Sequence, residues 1–137
     1  MLAAILDIAV QLLYPTLLLV AVYLNYGSKD SLLLSLVVGF SALLPMHMVT
    51  NYHLWYAICI GMEVGKMFLA YNLKTRVKFP VIYLCGLMVI CHLLSYTNTF
   101  ITPYRAILPA LEHLEIISCI LFSYPILKYL KRKIKCQ

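Results

Sequence analysis

The chain has 137 residues, of which 64% are hydrophobic and only 12% are charged. Its mean hydropathy is +0.91, whereas an ordinary soluble domain is about 45–50% apolar and about one-quarter charged. Because a soluble domain of this size buries only about two-thirds of the surface of its unfolded chain, this composition excludes a soluble globular domain. It also excludes a disordered chain, and it predicts an integral membrane protein. Because only helices and closed barrels span a bilayer and the apolar runs lack the strict alternation of barrel strands, we predict an all-α fold.

Five apolar runs follow one another along the chain, separated by short polar segments. The first run ends at a turn-forming Tyr-Gly-Ser-Lys-Asp cluster. The second begins at Ser31, a good helix cap, and the fourth begins near Pro80, which suits a first helical turn. Since about 20 helical residues cross a hydrocarbon core about 30 Å thick, we predict a compact bundle of about five transmembrane helices, forming a single domain over residues 1–127. The predicted spans are residues 2–25, 31–50, 52–72, 79–97 and 106–127, followed by a basic tail over residues 128–137.

The distribution of basic residues predicts how the chain is threaded. The formal net charge is +6, with 11 Lys and Arg residues in all. In a five-span bundle, Lys66 lies within the third span and Arg105 lies on one side. The other nine basic residues all fall on the opposite side. Because cytoplasmic loops are rich in Lys and Arg, we predict the N-terminus outside and the C-terminus in the cytoplasm.

The basic tail is expected to contact the headgroups of anionic lipids. Nucleic acid is the weaker alternative partner for this charge. The residues expected at the headgroups are Lys128, Lys131, Arg132, Lys133 and Lys135.

The third run allows a second topology, because Glu63 and Lys66 lie near its middle. A charge at the centre of a bilayer costs about 2.5–3.5 kcal/mol, but these two side chains are three residues apart and can pair on one helix face. In the alternative, residues 52–72 form an interfacial helix, the other four runs span, and the N-terminus lies inside. Five spans are favoured because they separate the basic residues slightly better.

Two glycines on the opposite face of the third run, Gly61 and Gly65, form a G-x-x-x-G pattern. This spacing lets a second helix approach closely. Besides lipids, we therefore expect other membrane helices, or further copies of the chain, as partners. The cysteines form no C-x-x-C pair, and the four in apolar stretches are expected to be small core residues.

Ionisable residues within the apolar runs are the first candidates for a functional site, because such groups are rare and costly in a membrane. If Glu112 and Glu115 open a helix after Pro109, they also stabilise the positive end of its dipole. The candidates for an intramembrane ion path are Glu63, Lys66, Glu112 and Glu115.

The four histidines fall near the outer side of the five-span bundle. Histidine is a common ligand of metals and of haem, but the spacing of these residues matches no standard motif. The simpler interpretation gives them interfacial or interhelical hydrogen bonds, so no cofactor is expected, with haem or a metal as the alternative. The weak candidates for such a site are His47, His53, His92 and His113.

Catalysis has little support, since the chain has no G-x-S-x-G, P-loop or dinucleotide pattern, and we do not expect an enzyme. The first hypothesis is a small multi-pass membrane protein that serves as a non-catalytic structural or accessory subunit of a larger membrane assembly, for example in a viral or phage membrane. One alternative is an oligomeric pore, holin-like, or a small transporter. Another is a haem- or metal-binding redox subunit of a membrane complex.

Overall fold

A computed structural model describes the backbone of residues 2–44, 49–97 and 101–135, and the side chains of residues 12–44, 49–97 and 107–135. Within these residues the chain is all-α, as the sequence predicts. Its six described helices are α1 (Leu2–Asn25), α2 (Lys29–Ala42), α3 (Tyr52–Asn72), α4 (Lys78–Tyr96), α5 (Ile101–Leu121) and α6 (Tyr124–Lys135).

The helices α1 to α5 form an up-and-down bundle in which α5 packs against α1, α2 and α4, and α3 packs against α4 and α2. One end of the bundle, called the basic end below, is formed by residues 27–28, residues 74–76 and the start of α6, which line one cavity. A second cavity brings the end of α2 beside the start of α3 and the later part of α4. Successive helices therefore run in opposite directions between the two ends.

Local sequence signals set the ends of several helices. The side chain of Ser28 caps α2 by accepting a hydrogen bond from the Ser31 amide, and Asn51 caps α3 in the same way. The predicted cap, Ser31, instead lies inside α2, where its hydroxyl shares a hydrogen bond with the Thr75 hydroxyl over 2.6 Å. Pro80 lies in the first turn of α4, as predicted.

Two helices, α3 and α4, are each long and apolar enough to cross a membrane. The described part of α5 together with α6 would be a third if this bent pair is counted as one span. By contrast, α2 has 14 residues and rises only about 21 Å, so it is shorter than the predicted run of residues 31–50. Residues 45–48 lie outside the described part of the chain.

The fifth apolar run differs from the prediction of residues 106–127 at both ends. Its helix α5 begins at Ile101, contains Pro109 and ends at Leu121. The chain then bends by 62° into α6. Pro125 accounts for the break, because proline has no amide hydrogen to continue the bonds of the preceding turn. The predicted basic tail is thus largely a separate amphipathic helix.

The apolar core lies along the inner faces of all five bundle helices. Gly39 allows close contact between α2 and α1, since a Cβ atom there would collide with the side chain of Leu18. Tyr14, in the middle of α1, donates a hydrogen bond from its hydroxyl to the Val38 carbonyl over 3.3 Å. Completely buried members of the core include Ala21, Leu34, Val38, Val81, Met88, Ile116 and Cys119.

Candidate functional site: a buried charge cluster

The centre of the bundle contains an ion-pair network between α3 and α5. Lys66 Nζ lies 2.9 Å from Glu63 Oε2 and 2.8 Å from Glu115 Oε2. The side chains of Lys66 and Glu115 are only 4% and 1% exposed. Because burying a charge without a partner is strongly unfavourable, one ammonium group held by two carboxylates is the arrangement that allows these residues to lie inside.

The helical repeat of α3 directs its two charges inward. The buried residues of this helix recur every three or four positions and form one stripe: Tyr56, Cys59, Glu63, Lys66 and Ala70. Glu63 and Lys66 therefore share the face that packs against the rest of the bundle, as residues three apart do. The pair expected from the sequence is formed, and it lies on the inner face of α3.

Cys85 of α4 extends the network. Its Sγ atom donates a hydrogen bond to Glu115 Oε1 over 2.9 Å, while the other oxygen of Glu115 accepts from Lys66. Both oxygens of Glu115 are thus used, and the resulting charge cluster of Glu63, Lys66, Cys85 and Glu115 joins α3, α4 and α5. Such a network fixes the relative register of three helices, because any other register would leave a buried charge without a partner.

The cluster also contains the one group of at least three potential metal ligands in the described part of the chain. The ligand atoms of Glu63, Cys85 and Glu115 lie within 4.8 Å of one another. The ammonium of Lys66 is within 2.9 Å of both carboxylates and serves as their cation. A metal ion would have to compete with Lys66 for the same oxygens, so the arrangement is that of an internal ion pair.

A cavity of about 130 Å³ adjoins the charge cluster on the side away from the basic end. Its walls include Glu63 and Lys66 from the cluster, together with Trp55, His92 and Glu112. A polar cavity needs room for about one probe sphere to hold a water molecule, so this one accommodates several. The cavity thus has room for water next to four ionisable side chains inside the bundle.

Glu112 lies on the cavity wall and Glu115 in the cluster, and both are in the middle of α5. The helix begins at Ile101, so neither carboxylate is in its first turns. The expectation that they stabilise the positive end of a helix beginning after Pro109 is therefore wrong. Of the four predicted ion-path residues, the structure brings Glu63, Lys66 and Glu115 into contact and places Glu112 on the adjoining wall.

The described histidines do not converge on one site. His53 is exposed and its Nδ1 is 2.9 Å from the Tyr96 hydroxyl, whereas His92 is buried beside the rings of Trp55 and Tyr56. His113 donates a hydrogen bond from Nδ1 to the Pro109 carbonyl over 2.7 Å. In the described part of the chain, no histidine belongs to a group of three or more potential ligands. His47 lies outside the described residues.

Aromatic side chains cluster at the end of the bundle opposite the basic end. The ring of Tyr52 stacks on that of Tyr96, and Tyr56 makes edge contacts with both. The Tyr56 and Ser95 hydroxyls also share a hydrogen bond over 2.6 Å. These contacts join the start of α3 to the end of α4.

The remaining predicted residues lie on the surface. Gly61 and Gly65 are exposed, and a Cβ atom at either would meet nothing within 4 Å. The G-x-x-x-G pattern is therefore not used for packing within the described part of the chain. The five basic residues predicted at lipid headgroups are all exposed on α6: Lys128, Lys131, Arg132, Lys133 and Lys135.

Sequence reasoning missed two features of these sites. It treated Cys85 as a core residue and did not pair Lys66 with Glu115, which lies 49 positions away. It also missed that Lys74 and Arg76 share a cavity with α6. Only the shared cavity could have been predicted from the sequence, since the loop of Lys74 and Arg76 and the basic tail were already expected on one side of the bundle.

No family model matches this chain, and no curated protein or solved structure is significantly similar to it. The functional proposals below therefore depend on the geometry, burial and charge of the chain's own residues.

Proposed function

We propose that this protein is a five-span membrane protein that serves as a non-catalytic subunit of a larger membrane assembly. The distribution of apolar and charged groups carries this proposal. Large apolar side chains point outward from the bundle, including Leu19, Phe68 and Ile90, which are 70%, 73% and 53% exposed. The charges within α3 are meanwhile buried and paired. A surface of this kind suits lipid or another apolar helix as its surroundings.

The alternating directions of the helices support the five-span topology. Turns at residues 26–28 and 73–77 lie at the basic end, which also carries α6. Nine of the 11 basic residues lie at this end by sequence, Lys66 and Arg105 being the other two. The positive-inside rule then places this end in the cytoplasm and the N-terminus outside. The interfacial helix is α6, which is amphipathic, and α3 is a span.

Reporters fused at three positions test this topology. We expect an N-terminal reporter outside the cell, and reporters in the 73–77 loop and at the C-terminus in the cytoplasm. A cytoplasmic N-terminus combined with a cytoplasmic C-terminus would support the four-span alternative and contradict the proposal.

A narrow outward face of α3 supports a role in assembly. Ala57, Gly61 and Gly65 recur at intervals of four residues and are all exposed. Since a Cβ atom at either glycine would meet open space, no described helix of the same chain occupies this face. Small residues at this spacing allow the backbone of another helix to approach closely.

Purification in a mild detergent after chemical cross-linking tests the subunit proposal. We expect the native chain to be recovered with a second membrane protein or with further copies of itself. The double substitution Gly61→Leu/Gly65→Leu should reduce this recovery at least tenfold, because the added side chains separate the helices. The control is Ala110→Leu, which places a leucine at an exposed position on α5, away from this face. A native chain recovered only as a monomer, with no partner, would contradict the proposal.

A second candidate function is conduction of protons or small cations. The observation that favours it is the cavity of about 130 Å³ whose walls include Glu63, Lys66 and Glu112. Ionisable residues in membrane interiors often mark ion pathways or proton relays. A chain of this size would have to assemble into oligomers to enclose a continuous path.

Flux into liposomes that contain the purified protein tests this second function. If the cavity belongs to a path, Glu112→Gln should reduce proton flux at least tenfold, because it removes an ionisable group while keeping the shape of the side chain. The control is Asp30→Asn, which likewise removes one carboxylate but at the basic end, away from the cavity. Equal flux in both variants and in the native protein would remove Glu112 from any path.

A further inference from the structure

A second cavity, of about 570 Å³, lies at the basic end. Four basic residues line it, and they come from two separate parts of the chain: Lys74 and Arg76 from the α3–α4 loop, and Lys128 and Lys131 from α6. No Asp or Glu is among its described lining residues. The lining therefore gathers positive charge, and Asp30 supplies a carboxylate beside it, where it accepts a hydrogen bond from the Lys74 amide.

Hydrogen bonds hold the walls of this cavity in place. The Ser31 and Thr75 hydroxyls, both on its lining, are 2.6 Å apart. Next to them, the Lys74 amide donates to a carboxylate oxygen of Asp30 over 2.6 Å. These contacts tie the α3–α4 loop to the start of α2. They fix two of the four basic residues relative to the bundle.

The bend before α6 supplies the other two basic residues. Because α6 turns by 62° from α5 and contacts α1 and α5, it crosses the basic end instead of extending away from it. Lys128 and Lys131 are three residues apart and so lie on one face of this helix. Leu127 and Tyr124 complete the lining with apolar surface.

We propose that this cavity binds the phosphate-bearing headgroup of an anionic phospholipid. Its volume is within the range of cavities that bind small molecules, and Arg and Lys are the side chains that bind phosphate oxygens best. Basic cavities between helices on the cytoplasmic side of a membrane suit anionic headgroups. The apolar residues of α6 lie beside the basic ones and would contact the acyl chains. The proposal rests on the topology proposed above, which places this end at the cytoplasmic membrane surface.

Native mass spectrometry of the full chain in detergent, with added phosphatidylglycerol or phosphatidylcholine, tests the proposal. Lys128→Gln/Lys131→Gln removes two charges from the cavity. The matched control, Lys133→Gln/Lys135→Gln, removes two charges from the same helix at positions that do not line it. Since one basic residue near an anionic surface changes binding about fivefold, we expect the first variant to lose about 25-fold in bound phosphatidylglycerol. The control should lose far less, and phosphatidylcholine should bind weakly throughout.

Arg76→Gln provides an independent variant from the other wall of the cavity, with an expected loss of about fivefold. It also covers the case in which the double variant on α6 fails to fold. Equal losses in the cavity variant and its control would overturn the proposal, because they would indicate general attraction between charges. Equal binding of the two lipids would overturn it as well.

Inorganic phosphate separates a lipid headgroup from a soluble phosphate. If millimolar inorganic phosphate displaces the lipid completely, the ligand is a soluble phosphate group and the lipid proposal is wrong. These outcomes are independent of the proposed function. A chain that shows the expected topology and partner but no lipid preference would overturn only the headgroup site.

Discussion

The two charged regions of this molecule handle charge in opposite ways. At the bundle centre, Lys66 lies between Glu63 and Glu115, and all three are buried. At the basic end, Lys74, Arg76, Lys128 and Lys131 surround a cavity without a carboxylate on its described lining. The first region pairs its ammonium with two carboxylates of the same chain, whereas the second leaves its basic side chains available to an external anion.

This difference follows from the surroundings of each region. A buried charge must be paired at fixed geometry, because it has lost most of the water that would solvate it. An exposed charge at a membrane surface is solvated and screened by salt, so it is stable without a partner in the chain. Substitutions in the two regions should therefore affect different measurements: unfolding for the central cluster and lipid binding for the basic end.

The largest effect is expected from Lys66→Met, which leaves two buried carboxylates without their cation. Removing one member of a buried ion pair costs about 3–5 kcal/mol, so the free energy of unfolding should fall by about this amount. Denaturation in detergent micelles, followed by the fluorescence of Trp55, the sole tryptophan, measures it.

The control for this experiment is the triple variant Glu63→Gln/Lys66→Met/Glu115→Gln, which removes the carboxylate charges as well. It should recover most of the lost stability. If the Lys66→Met variant has the same free energy of unfolding as the native protein, Lys66 does not stabilise the two buried carboxylates.

A smaller difference is expected between the two carboxylates. Glu115 accepts hydrogen bonds from both Lys66 and Cys85, whereas Glu63 contacts Lys66 alone among the contacts described for it. Hydrogen bonds to charged groups contribute about 1.5–3 kcal/mol each, so Glu115→Gln should destabilise the bundle more than Glu63→Gln. Denaturation curves of the two variants, measured under the same conditions, test which loses more stability. A larger loss for Glu63→Gln would show that the more important carboxylate is the one on α3.

The walls of the basic cavity should respond more weakly. Thr75→Val removes two neutral hydrogen bonds, one with the Ser31 hydroxyl and one from the Val77 amide, which together contribute about 2 kcal/mol. We expect a loss of that size in the free energy of unfolding, together with weaker retention of phosphatidylglycerol, because the loop that carries Lys74 and Arg76 loses a restraint. Unchanged lipid binding would show that the loop is positioned by other contacts.

The smallest effect on stability is expected from Lys133→Gln/Lys135→Gln at the end of α6. Both residues are exposed, and charges of this kind contribute little to folding. The denaturation midpoint should equal that of the native protein. A marked loss of stability would mean that the end of α6 is docked and not merely solvated, and the contrast between the two regions would then fail.

Much of the fold could be predicted from the sequence. The apolar runs and their breaks located the helices, because the hydrophobic repeat and the cap residues act within a few positions of one another. The Glu63–Lys66 pair followed from their spacing alone. The end of α5 was predicted at residue 127, because apolar residues continue past Ser123. The helix instead ends at Leu121, four residues before Pro125.

The amino-acid sequence by itself determined the all-α class, the positions of the helical runs and the concentration of basic residues on one side of the predicted bundle. These properties depend on composition and on neighbours in the chain. Only the tertiary structure decided that Lys66 meets Glu115 and Cys85, and that the α3–α4 loop and α6 enclose one cavity. Such contacts depend on the register and rotation of packed helices, and no local periodicity encodes these.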